Sequence, residues 1–79
     1  GRLPGVLVLH RDQCGVIALV SGQLAEAGIN IAGMRVFRAG KGGLAIMIIE
    51  CDQKVAPETL EKITHLMAVK SVRFINNVL

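Results

Sequence analysis

Two stretches of this 79-residue sequence read as strands that are apolar at every position, Val6-Leu7-Val8-Leu9 and Leu44-Ala45-Ile46-Met47-Ile48-Ile49. A strand sends successive side chains to opposite faces, so a strand apolar at both parities needs neighbours and some cover on both sides. Such segments belong in the middle of a sheet. The longer one has six residues, against the roughly 18 needed to cross a bilayer. With 52% apolar residues the chain is not a disordered tail. A single domain of this length buries only about 60% of its unfolded surface. The apolar surplus therefore predicts a surface covered by a partner.

The remaining elements follow from period and punctuation. Val6 to His10 reads as a strand and Arg11 to Cys14 as a polar break. From Gly15, Ile17, Val20, Leu24 and Ala27 recur at helical spacing, and Gly28 supplies the helix stop. Gly22, inside that helix, predicts close packing on a sheet. Ile29 to Arg38 and Leu44 to Cys51 read as strands joined by a hairpin at Ala39 to Gly43, where Gly40-Lys41-Gly42-Gly43 supplies positive-φ positions. Pro57 suits the first turn of a second helix with a buried stripe of Leu60, Ile63 and Met67, and Val69 to Val78 is the last strand. Residues 1–4 are expected to be linker, the rest one domain. The order βαββαβ predicts an α+β, ferredoxin-like sandwich: a four-stranded antiparallel sheet with both helices on one face. The first and third strands are central there. The second, carrying Arg35 and Arg38, is an edge.

Composition trims the functional classes. Nine basic and six acidic residues give +3, with Arg35, Arg38 and Lys41 as the densest basic group. Phe37 and Phe74 are the only aromatics, too few on the open face for the base stacking an RNA-binding module uses. Cys14 and Cys51 are separated by 36 residues, with no metal-ligand spacing around either. They fit reduced thiols in a cytoplasmic protein, and no signal peptide is legible. Ser21 and Ser71 belong to no catalytic set, and a His10–Cys14 thiol–imidazole pair is poorly spaced across a strand end and loop. The glycine hairpin lacks the spacing and following helix of a phosphate loop. The methionines read as core filler, and His65 as a solvated residue favouring the end of the second helix.

The informative stretch is His10-Arg11-Asp12-Gln13-Cys14-Gly15-Val16-Ile17. Free amides and the positive dipole end at a helix start suit a carboxylate. Asp12 either caps the helix or receives an ammonium group. His10 either donates to a ligand oxygen or stands solvated at the strand end. Cys14 sits where a helix start lowers a thiol pKa. Asn30, at the start of the second strand, either satisfies local backbone groups or faces the His10–Gly15 loop of a second copy paired along this edge. A ligand there bridges two copies, which is a means of regulation rather than catalysis.

These residues resemble the ACT domain, a small amino-acid-binding regulatory module of metabolic enzymes, over Val6 to Val78. The resemblance is carried by His10-x-Asp12-x-x-Gly15-Val16-Ile17, by Gly28-Ile29-Asn30-Ile31-Ala32-x-Met34, by the glycine hairpin, and by Ala45-x-Met47-x-Ile49-Glu50-x-Asp52. Cys14 stands where the family usually has proline. The second-strand and third-strand pattern is most similar to the domain ending the beta portion of iron–sulfur L-serine dehydratases. The C-terminal domain of D-3-phosphoglycerate dehydrogenase is close behind. The resemblance implies L-serine as effector, bound by His10, Asp12, Cys14, Gly15, Val16, Asn30 and Ile31. It also implies a homodimer through sheet edges, making one eight-stranded sheet. The 4Fe-4S cluster and the lyase chemistry then belong to a separate catalytic region or alpha subunit, and this chain has no activity of its own. Neither nucleic acid nor membrane is expected as a partner.

Overall fold

The computed structural model describes residues 3–38 and 43–78. The elements run β1 (Leu3–Arg11), α1 (Val16–Glu26), β2 (Ile31–Arg38), β3 (Leu44–Cys51), α2 (Pro57–Thr64) and β4 (Val69–Val78). All pairings are antiparallel and the strand order is β2-β3-β1-β4. The two strands apolar at both parities are the central pair, as their composition requires, and β2 is an edge. β1 starts earlier than expected: Leu3 and Pro4, anticipated as linker, are its first residues, and Leu3 pairs with Val78. The hairpin residues 39–42 lie outside the described residues.

Parity sorts the two faces. Val6, Val8 and His10 on β1 share a face with Ala45, Met47, Ile49 and Cys51 on β3, and all are buried against the helix layer. Val16, Val20 and Leu24 of α1 and Ile63 of α2 complete that core. Val20 and Leu24 of the expected α1 stripe are buried, but its ends differ: Val16 takes the buried place given to Ile17, which is 43% exposed, and Ala27 faces water. Gly22 does not pack on the sheet either; it is exposed, and nothing would meet a Cβ there.

Helix ends explain the rest. At the end of α1, Ile29 N–H donates to Leu24 O (2.9 Å), Gly28 N–H to Ala25 O (2.9 Å), and Gly28 has φ +77°. This is a Schellman stop, with Leu24 and Ile29 both buried across it. α2 begins with Pro57 and stops at Thr64; His65 Nδ1–H donates to Glu61 O (2.8 Å). Met67, expected in the buried stripe, falls in the following turn and is 88% exposed. That turn needs Ala68 at φ +78°, and Ala68 O accepts from Arg11 N–H (2.8 Å), which ties the start of β4 to the end of β1.

Candidate functional site

The polar break after β1 leads directly into α1. Its N-cap is Gly15, left-handed at φ +89° and without a side chain to cap the helix. The first intrahelical donor is Leu19 N–H, to Gly15 O (3.0 Å). By helix geometry the amides of Val16, Ile17 and Ala18 then have no partner within the helix. An uncapped start of this kind offers N–H groups and positive dipole to a carboxylate. Glycine at position 15 serves a conformational need, since a side chain at that φ is strained.

His10 is the least solvated member of the group, at 2% exposure. Its Nδ1 lies 2.7 Å from Arg11 O. A carbonyl only accepts, so the neutral ring carries its proton on Nδ1 and presents Nε2 as an acceptor. That Nε2 is buried and has no hydrogen-bond partner. An unpaired buried acceptor costs about 1–3 kcal/mol, a cost a donor group on a ligand would remove. Both expectations for His10 thus change: the ring is not solvated, and in its neutral form it accepts rather than donates.

Asp12 does not cap α1. Its Oδ1 pairs with Arg38 Nε at 3.3 Å, and its amide donates to Gly43 O (2.9 Å). The Arg38 side chain is 71% exposed and that of Asp12 24% exposed. A pair this wet contributes no more than about 1 kcal/mol, so a ligand ammonium can displace the guanidinium. Arg38 is the site residue that composition missed. It reaches Asp12 only because β2, β3 and β1 lie side by side, with Arg38 paired to Ala45 and Ala45 to His10. Cys14 is a free, exposed thiol immediately before the N-cap. Cys51 is buried at the far end of β3, where burial first and the neighbouring Asp52 carboxylate second push its thiol pKa above the usual 9.0.

His10, Asp12, Cys14, Gly15 and Val16 are therefore brought together at one end of the sheet. Asn30 and Ile31 are not with them. Ile31 pairs with Cys51, whereas His10 pairs with Ala45, six residues back along β3. At about 3.3 Å per residue this is roughly 20 Å. Asn30 is exposed, and its carbonyl accepts Asp52 N–H (3.1 Å). Among the described residues no group of three or more His, Cys, Asp or Glu side chains is arranged to hold a metal ion. No helix among them is long and apolar enough to cross a membrane.

Residues 5–64 match the family described as the ACT domain. The chain belongs to the ACT domain family. This module is regulatory rather than catalytic, binding small amino acids within larger enzymes. The sequence is 41% identical over 66 residues to the probable L-serine dehydratase beta chain of Bacillus subtilis, covering 84% of this chain and 30% of that protein. It is 40% identical over 74 residues to D-3-phosphoglycerate dehydrogenase of Methanocaldococcus jannaschii, covering 91% of this chain and 14% of that one. The chain thus spans less than a third of the length of these curated relatives. The ACT domain from GTP pyrophosphokinase of Chlorobium tepidum superposes with a TM-score of 0.72 at 17% identity, over 92% of this chain and 96% of that structure, which supports the shared fold.

Proposed function

We propose that this ACT domain is the L-serine-sensing module of a cytoplasmic L-serine dehydratase, and that two copies paired along β2 form the effector site. The observation that carries the reading is the buried, unpartnered His10 Nε2 at the end of β1, where the chain enters the uncapped start of α1. L-serine matches the groups on offer. Its carboxylate suits the amides of Val16, Ile17 and Ala18, its ammonium suits Asp12 once Arg38 is displaced, and its hydroxyl can donate to Nε2.

The position of Asn30 supports a second copy in the site. β2 is an edge strand, and a two-fold interface brings the same surface of both copies together. Antiparallel pairing of β2 with its counterpart sets the Ile31 end of one copy beside the Arg38 end of the other. Asn30 of one copy then joins His10 and Asp12 of the other, which a single copy cannot achieve. Ligand binding would strengthen the pairing and so pass a signal to the attached catalytic region.

The 4Fe-4S cluster of such a dehydratase belongs to that region. This chain's two cysteines do not fit one: Cys14 is exposed in the β1–α1 loop, and Cys51 is buried at the opposite end of the sheet. The 40% identity to D-3-phosphoglycerate dehydrogenase supports a second reading with the same effector and a different parent, in which serine is a feedback inhibitor. Calorimetric titration of L-serine and of glycine, at several protein concentrations, tests the site. Serine heat that falls at least tenfold in Asn30→Ala and His10→Ala supports it. A dimeric sample that takes up no serine refutes it.

A further inference from the structure

Among the described residues no helix lies on the second face of the sheet, yet that face is apolar. Leu7 and Leu9 on β1 are half-buried, and on β3 Leu44 is 40% and Ile46 37% exposed. Phe37 on β2, paired to Ile46 on the same face, is 51% exposed. Leu9, Phe37, Leu44 and Ile46 line an apolar pocket of about 300 Å³, a place for one anchoring side chain of a partner. The molecule measures 32 × 24 × 16 Å. In a two-layer fold the sheet occupies the broad 32 × 24 Å side.

Charge around this face says what covers it. Arg11 is on its β1 row, paired to Leu44, and Arg73 is on β4, paired to Leu7. Among the described residues paired on these rows, the acidic side chain is Glu50, which lies over Gly33. Stacking two copies face to face would bring the Arg11 and Arg73 guanidiniums of both into one drying seam, where like charges are costly. A strand of nucleic acid would suit the charge, but Phe37 alone offers a stacking ring beside an aliphatic floor.

We propose that the open face docks an apolar protein surface ringed by carboxylates, supplied by another region of the polypeptide that carries this domain. The relatives of which this chain spans 30% and 14% have the chain length to provide such a surface. Docking here leaves the β2 edge free, so the inference stands apart from the effector site.

The test uses the full polypeptide as its gene encodes it, with Ile46→Cys or Met67→Cys introduced and Cys14→Ser in both. Iodoacetamide labelling at each position is followed by mass spectrometry. Bare to water, the two positions should differ about two- to threefold, given their 37% and 88% exposures. The proposal expects position 46 to react at least tenfold more slowly than position 67, at every protein concentration. It also expects Arg11→Glu with Arg73→Glu to bring the ratio back within about threefold, with the circular dichroism unchanged. A ratio of two to three in the unaltered polypeptide overturns the proposal. So does protection lost on dilution to the monomer, which would mean two copies stacked face to face. Protection gained only on adding a single-stranded RNA oligonucleotide overturns it as well, as does protection indifferent to the charge reversals.

Discussion

Replacing His10 with leucine separates a residue kept for binding from one kept for folding. The substitution removes the Nδ1–H bond to Arg11 O at 2.7 Å, worth about 0.5–1.5 kcal/mol. It also removes the buried, unpaired Nε2, which costs the folded state about 1–3 kcal/mol. Leucine is close to histidine in volume and shares a face with Val6, Val8 and Met47. The balance is a net gain of about 1 kcal/mol, or a rise in Tm of roughly 4–8 °C for a domain of this size. Serine affinity should fall at least tenfold in the same variant, about 1.4 kcal/mol. Thermal unfolding without ligand and calorimetry with L-serine measure the two effects. Destabilisation by more than about 2 kcal/mol would mean that the imidazole is structurally satisfied and that Nε2 is not an orphan. Undiminished serine binding would refute the role assigned to Nε2.

Four other substitutions or conditions follow from the same structure. Arg38→Ala should leave stability within about 0.5 kcal/mol, since the Arg38–Asp12 pair is exposed. By freeing Asp12 it should tighten serine binding, which calorimetry reads. Ala68→Gly should stabilise by up to about 1 kcal/mol in denaturant titration, because φ +78° strains a side chain, an effect partly offset by the looser unfolded chain. Cys51 contributes a pH dependence of definite sign. Its folded pKa lies above the unfolded value near 9.0, because burial and Asp52 disfavour the thiolate. The unfolded chain therefore loses that proton first, and stability falls as pH rises through about 9. In the native protein at pH 8, a thiol reagent should label exposed Cys14 and reach Cys51 only on unfolding.

The strand skeleton was legible because it rests on a period of two. Val6–Leu9 and Leu44–Ile49 satisfy both parities, and only central strands of a sheet with a partly covered second face tolerate that. Gly28 was legible as well, since few residues other than glycine end a helix at φ +77°. The first position of the α1 stripe was not, although Val20 and Leu24 were. Val16 and Ile17, like Leu19 and Val20, are adjacent apolar pairs, and each supports a stripe 100° from the other. Packing chose Val16 over Ile17 and kept Val20. Met67 continued the α2 spacing on paper, but the chain leaves the helix at His65 before reaching it. For the site, local order fixed the His10–Val16 group. The burial of His10 could have been read from its parity with Val6 and Val8. The Arg38–Asp12 pair could not, because it depends on the register of three strands.

Subunit complementation tests the shared site most directly. His10→Ala and Asn30→Ala should each abolish L-serine binding on their own. Mixed, unfolded and refolded together, they pair at random, and half the dimers hold one copy of each variant. Every such dimer contains one site with its His10 and its Asn30 both intact, contributed by different copies. Calorimetry of the mixture should recover about a quarter of the wild-type serine sites, at wild-type affinity. No recovery would place both residues in the same copy's site or in none, and would contradict the interface on which the proposed regulation rests.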